Sequence, residues 1–141
     1  MQDVGFAFIQ LGYHLGLAVI IGGGLALGPS ASPAILRRYD GLATIAVVVV
    51  WITTYFRASG FETPDVTHYI RWAALALMGV LTLYATAWSG PVARALQQQT
   101  RAFDELAPRH PVRLEVHALH ARARRALDCA VILGIVALFL S

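Results

Sequence analysis

The chain has 141 residues, of which 57% are hydrophobic and 13% charged, against roughly 45–50% and 25% in an ordinary soluble domain. Its mean hydropathy is +0.62, and the apolar residues fall into blocks of about 15 to 24, close to the length a helix needs to cross a bilayer. A soluble enzyme with its own core is thereby excluded. All eleven cationic residues are arginine, and against eight acids they leave a net charge of +3, a bias that orients membrane spans rather than binding nucleic acid.

The first span is read over about 5–28. It is a retained helix and not a signal peptide, because the chain opens Met1-Gln2-Asp3 without positive charge and stays apolar for longer than a signal core of roughly 7–15 residues. Gly12/Gly16 and Gly24/Gly28 have the small-xxx-small spacing that lets helix backbones approach closely, so these glycines are read as helix-packing residues. Gln10 and His14 lie four apart on one helical face. A polar side chain inside a span faces protein or a cavity, and His14 has two readings: a hydrogen bond to a neighbouring helix or to Gln10, or a cofactor-binding and proton-handling role.

The second span is read over 34–57, through Val47-Val48-Val49-Val50-Trp51, with Pro33 at the first helical position. The third covers 69–88 and stops at Ser89-Gly90-Pro91, with Tyr69/Trp72 and Tyr84/Trp88 as interfacial anchors. Over 91–107, Val92, Leu96, Gln99, Phe103 and Leu106 follow a 4-3-4-3 spacing, which predicts a cytoplasmic amphipathic helix ended by Pro108 and Pro111. It lies in the interface, extends span three or docks a partner. The fourth span is read over 114–140. Its apolar part, from Ala126, supplies only about 22 Å, so the helix starts near Arg113 and Arg122, Arg124 and Arg125 snorkel to the headgroups.

Four spans place nine arginines (Arg37, Arg38, Arg94, Arg101, Arg109, Arg113, Arg122, Arg124 and Arg125) on one side and two, Arg57 and Arg71, on the other. Basic loops stay in the cytoplasm. The expectation is an all-α integral membrane four-helix bundle, a single domain over 1–141 in the cell inner (plasma) membrane, with both termini outside the cytoplasm.

Few residues suggest chemistry. His117 and His120 are spaced i, i+3 and could share a transition metal, with His110 as a third ligand; a solvated helix face is the simpler account. A haem between His14 and His120 of one chain is disfavoured, because the two miss each other in depth by about 16 Å at 1.5 Å per residue. Asp128 sits inside the fourth span with Arg124 four residues and Arg125 three residues before it, which predicts an intramembrane ion pair of Arg124 with Asp128. Cys129 is the only cysteine, so neither a disulfide nor a CxxC pair forms within one chain. Glycine-rich phosphate loops, HExxH and G-x-S-x-G are absent, and no catalytic residue is assigned.

Gly22-Gly23-Gly24 late in span one, Ala31-Ser32-Pro33-Ala34-Ile35 after it, and Val116-His117-Ala118-Leu119-His120 leading into span four together resemble the TMEM205-like (DUF4149) family of small four-helix membrane proteins, distant relatives of the CopD copper-resistance membrane proteins. The order of elements is similar over nearly the whole chain. The resemblance implies that His120 is the family histidine, with Leu119 before it, Pro33 the turn proline and Gly22/Gly23 the packing glycines. Val116 stands where the family usually has an aromatic, Ala123 where a serine is common, and Asp128 nearest a usual asparagine. It implies the fold and a loose link to metal or toxic-compound resistance.

The expected function is therefore non-enzymatic: an accessory or scaffold subunit whose helices pack against each other, against the lipid bilayer and against other membrane subunits or a second copy. A metal- or haem-handling protein using His14 or His117/His120 is the alternative. No cofactor is required by the sequence, and haem or a transition metal stays open. A transporter is disfavoured by the single embedded acid.

Overall fold

The structure, a computed structural model, describes residues 2–27 and 32–141, with the backbone alone at 2, 3 and 33. It is all-α, with no strand among the described residues. Helix α1 spans Gln2–Ala26, α2 Pro33–Gly60 and α3 Val66–Leu83; a π-helical turn at Tyr84–Ser89 carries α3 without a break into α4, Gly90–Gln99, and α5 spans Pro111–Phe139. Three stretches are long and apolar enough to cross a membrane: Val4–Ala26, Ala34–Gly60 and the continuous Val66–Gln99. Helix α5 is 29 residues long but carries Arg113, Glu115, Arg122, Arg124, Arg125 and Asp128 in its first two thirds, and it is not among those three.

The helix starts follow the sequence. Ser32 caps α2, its hydroxyl accepting the Ile35 amide at 3.4 Å, with Pro33 in the first turn where a missing N–H costs nothing. Pro111 does the same for α5, with His110 as the cap: its Nδ1 accepts from the Val112 amide at 3.3 Å.

Two boundaries differ from the sequence reading. Ser89-Gly90-Pro91 does not end the third helix. Proline cannot donate to the carbonyl four residues back, and the π-turn widens the helix just upstream, with the Gly90 amide bonding Ala85 O. Gly90 is needed there, since a Cβ would stand 2.8 Å from that carbonyl. The amphipathic helix expected over 91–107 stops at Gln99 instead. Thr100 turns extended, Ala102 is left-handed at φ 53°, and only a 3-10 turn at Phe103–Glu105 follows. The loop is held back onto α5 by Arg113 Nη1 donating to Leu106 O at 2.8 Å.

Helix α1 packs on α2 and α5, and α3 packs on α5 and α2, so the long helices enclose one core. Tyr13, Leu17 and Ile20 of α1, Val47 and Val50 of α2 and Leu75 and Met78 of α3 fill it. The face that α5 turns inward is nearly all small: Ala123, Ala126, Ala130, Gly134 and Ala137. In a bilayer, burying apolar surface against protein instead of lipid adds little, so close contact and interhelical hydrogen bonds carry the association. The glycines serve that contact. A Cβ at Gly16 would come within 2.6 Å of Val50 and 3.1 Å of the Ala46 carbonyl, and one at Gly12 within 3.3 Å of Thr53. A Cβ at Gly24 would stand 2.5 Å from Val131 of α5, and Gly23 leaves the space that the Tyr39 ring occupies. Gly28, Ala31 and their neighbours at 29 and 30 lie outside the described residues.

Candidate functional site

Two clusters of polar side chains interrupt this apolar interior, one at each end. Where α2 ends and α3 begins, Glu62 sits in the short connection between them and takes two arginines. Arg57 Nη2, from the last turn of α2, lies 2.7 Å from one carboxylate oxygen, and Arg71 Nη2, from α3, contacts the other. All three side chains are more than nine-tenths buried, Arg57 at 7%, Arg71 at 3% and Glu62 at 9% exposure. The Arg57 guanidinium also lies over the Tyr13 ring of α1, 4.8 Å from its centroid, a cation–π contact that strengthens with desolvation. His68 Nε2 approaches Glu62 at 3.9 Å.

The network ties α1, α2 and α3 together, yet it is not fully satisfied. Nε and Nη1 of Arg57, Nε of Arg71 and the Tyr13 hydroxyl are buried without a hydrogen-bond partner among the described residues. The cluster clasps three helices together.

At the opposite end lies a cavity of about 460 Å³ with mostly apolar walls. Every long helix contributes: Leu27 follows α1, Tyr39 and Asp40 come from α2, Arg94 from α4, and His117, His120 and Arg124 from α5. Arg94 Nη2 holds the Asp40 carboxylate at 2.5 Å across 54 positions of sequence. The Tyr39 hydroxyl donates to Ile20 O at 3.2 Å, joining α2 to α1. Thr44 donates to its own Asp40 carbonyl at 2.8 Å and stands 3.4 Å from Thr86 in the π-turn, and Ser89 donates to Leu119 O on α5 at 2.8 Å. The π-turn therefore does more than admit Pro91. It fixes the register in which Arg94 meets Asp40.

The residues singled out from sequence distribute unevenly over these features. His117 and His120 both line the cavity. His110, expected as a third ligand, is occupied as the cap of α5, and among the described residues no group of three histidine, cysteine, aspartate or glutamate side chains could hold a metal ion. His14 joins neither cluster: half-buried on α1, its Nδ1 lies 2.7 Å from the Gln10 carbonyl of its own helix, with its ring edge-on to Tyr13. Arg124 Nε lies 3.1 Å from Asp128, but these side chains are 44% and 54% exposed, so the pair is not buried; a further Arg124 nitrogen contacts the Leu27 carbonyl, at the rim of the cavity. Cys129 is exposed.

Sequence reasoning missed both the buried Glu62 cluster and the part-buried Arg94–Asp40 pair. Arg57 and Arg71 served only to orient the chain, and Asp40 fell just before an apolar block. The available signal was a lone glutamate, Glu62, between two arginines at the ends of adjoining apolar helices.

No family model, curated protein or solved structure matches this chain. Function therefore rests on the geometry alone.

Proposed function

We propose that the protein is a non-enzymatic integral membrane subunit. It is a bundle of four spans, with α5 as the fourth beside the three apolar helices, both termini outside the cytoplasm and the arginine-rich end within it. It acts as an accessory or scaffold component whose helix α1 packs against another transmembrane helix, from a partner subunit or a second copy. The observation that carries this is the outer face of α1. Val4, Phe8, Leu11, Leu15, Ala18, Gly22 and Leu25 are all exposed and recur at 4-3-4-3 spacing, a seam with the period of helix pairing. Ala18 and Gly22 give that seam its own small-xxx-small pair, and nothing lies within 4 Å of a Cβ at Gly22. Lipid alone asks for bulk there, not for glycine.

The metal- or haem-handling reading suggested by the resemblance to the TMEM205-like and CopD proteins has one supporting observation, the convergence of His117 and His120 on one cavity. It lacks a third ligand among the described residues. Purification in mild detergent tests both readings. A co-purifying polypeptide or a self-associated species without a visible absorption band supports the scaffold. A haem or metal-charge-transfer band lost on His120→Phe would replace it.

A further inference from the structure

From the cavity at the arginine-rich end we infer a binding site for an anionic phospholipid, with the phosphate on the arginine side and the start of the acyl chains against the apolar walls. The inference rests on the helices standing in a bilayer and is independent of any partner of α1. Its first support is depth. Leu27 directly follows α1 and Leu36 lies in the first turn of α2, while along α5 the lining runs from His117 to Leu127, across the change from the arginine-rich to the apolar part of that helix, so the cavity opens at the α1–α2 end, at headgroup level for spanning helices.

The second support is the division of its surface. Leu27, Leu36, Leu127 and alanine side chains make most of the wall, while the polar groups are Arg94, Arg124 and the two histidines beside Asp40. The one lining carboxylate is paired with Arg94, and Arg124 pairs with Asp128 outside the lining, so the site carries no uncompensated negative charge and its donors are the guanidinium N–H groups that these pairs leave over. Arg94 also lines a second, smaller recess of about 200 Å³ together with Arg37, Gln97 and Gln98, and Arg37 enters no ion pair among the described residues. The apolar cavity and this polar recess share Arg94, which places cationic donors at the boundary between a greasy chamber and a wet one. That is the layout of an amphiphile with an anionic head. Guanidinium groups bind phosphate oxygens through paired N–H donors, and basic pockets between helices on the cytoplasmic side take anionic headgroups. The volume is also that of an organic ligand rather than of a metal ion.

Native mass spectrometry of the full chain in mild detergent tests this, with phosphatidylglycerol, phosphatidylcholine of the same acyl chains and inorganic phosphate offered separately and in competition. We expect one phosphatidylglycerol retained per chain, about tenfold or more in preference to phosphatidylcholine, and no displacement by inorganic phosphate. Arg94→Gln should weaken retention by a similar factor. Because that change also opens the pair with Asp40, Ala121→Phe, which fills the cavity and leaves the pair intact, should independently abolish retention. Equal retention of the two lipids would overturn the headgroup assignment. Displacement by inorganic phosphate would show a soluble phosphate site instead of a lipid site. Undiminished retention by Ala121→Phe would remove the cavity from the account.

Discussion

Replacing Glu62 with glutamine is the sharpest perturbation of this fold. The substitution keeps the volume and one oxygen acceptor but removes the carboxylate that Arg57 and Arg71 share. Both guanidiniums are less than a tenth exposed, and three of their nitrogens already lack partners among the described residues, so solvent has little access to replace the lost charge. Breaking a buried ion pair by removing one partner typically costs about 3–5 kcal/mol, and here one carboxylate serves two cations, which puts the expectation at the upper part of that range. The contrasting variant, Arg57→Met with Glu62→Leu and Arg71→Met, removes all three charges at similar volume and should cost little or stabilise, since a buried ion cluster contributes small net stability against an apolar substitute. Equilibrium unfolding of the purified protein in detergent, read by circular dichroism, measures both. A Glu62→Gln variant within about 0.5 kcal/mol of the parent, the range of ordinary surface changes, would refute the buried clasp.

Three further outcomes follow from particular contacts. Gly16→Leu should destabilise the bundle by about 1–3 kcal/mol or more through overpacking, because its Cβ alone would stand 2.6 Å from Val50; thermal unfolding of this variant beside Gly41→Leu, where a Cβ meets nothing within 4 Å, should show the larger loss in the first. His14→Phe should cost no more than about 1 kcal/mol, the net worth of one ordinary hydrogen bond, since the bond it removes stays within α1; a larger loss in the same unfolding assay would point to a contact across helices. A periplasmic alkaline phosphatase fused after Ser141 should be active, because the proposed four spans put nine of the eleven arginines on the opposite side, whereas fluorescence from a reporter that matures only in the cytoplasm would reverse the topology.

The regular parts of this fold were legible because they depend on local chemistry. Pro33 marks a helix start by a dispensable N–H, and apolar block length is enough to identify three membrane-length helices; Pro111, read as a stop, instead opens α5 with His110 as its cap. The errors came where two local signals competed. Phe103 and Leu106 continue the amphipathic spacing, but spacing says nothing of the left-handed turn at Ala102 that interrupts it. Pro91 reads as a stop, and only the glycine before it, at the close approach to Ala85 O, hints at a π-turn. The candidate site was half legible. His117 and His120 announce a shared face by their spacing, whereas Asp40 and Arg94 meet only because the register of α2 against the third helix brings them together. No local pattern encodes such a meeting.

The central claim, that the outer seam of α1 faces another helix, is tested most directly by photo-crosslinking in the intact membrane. A photoreactive phenylalanine is placed in turn at Leu11, Leu15 and Gly22 of the seam, and at Ile45 of α2 and Val80 of α3, which are exposed away from it. The account expects a discrete protein adduct, with a partner or at twice the mass of the 15.3 kDa chain, at the three seam positions and none at the other two. Lipid adducts alone at Leu11, Leu15 and Gly22 would contradict it.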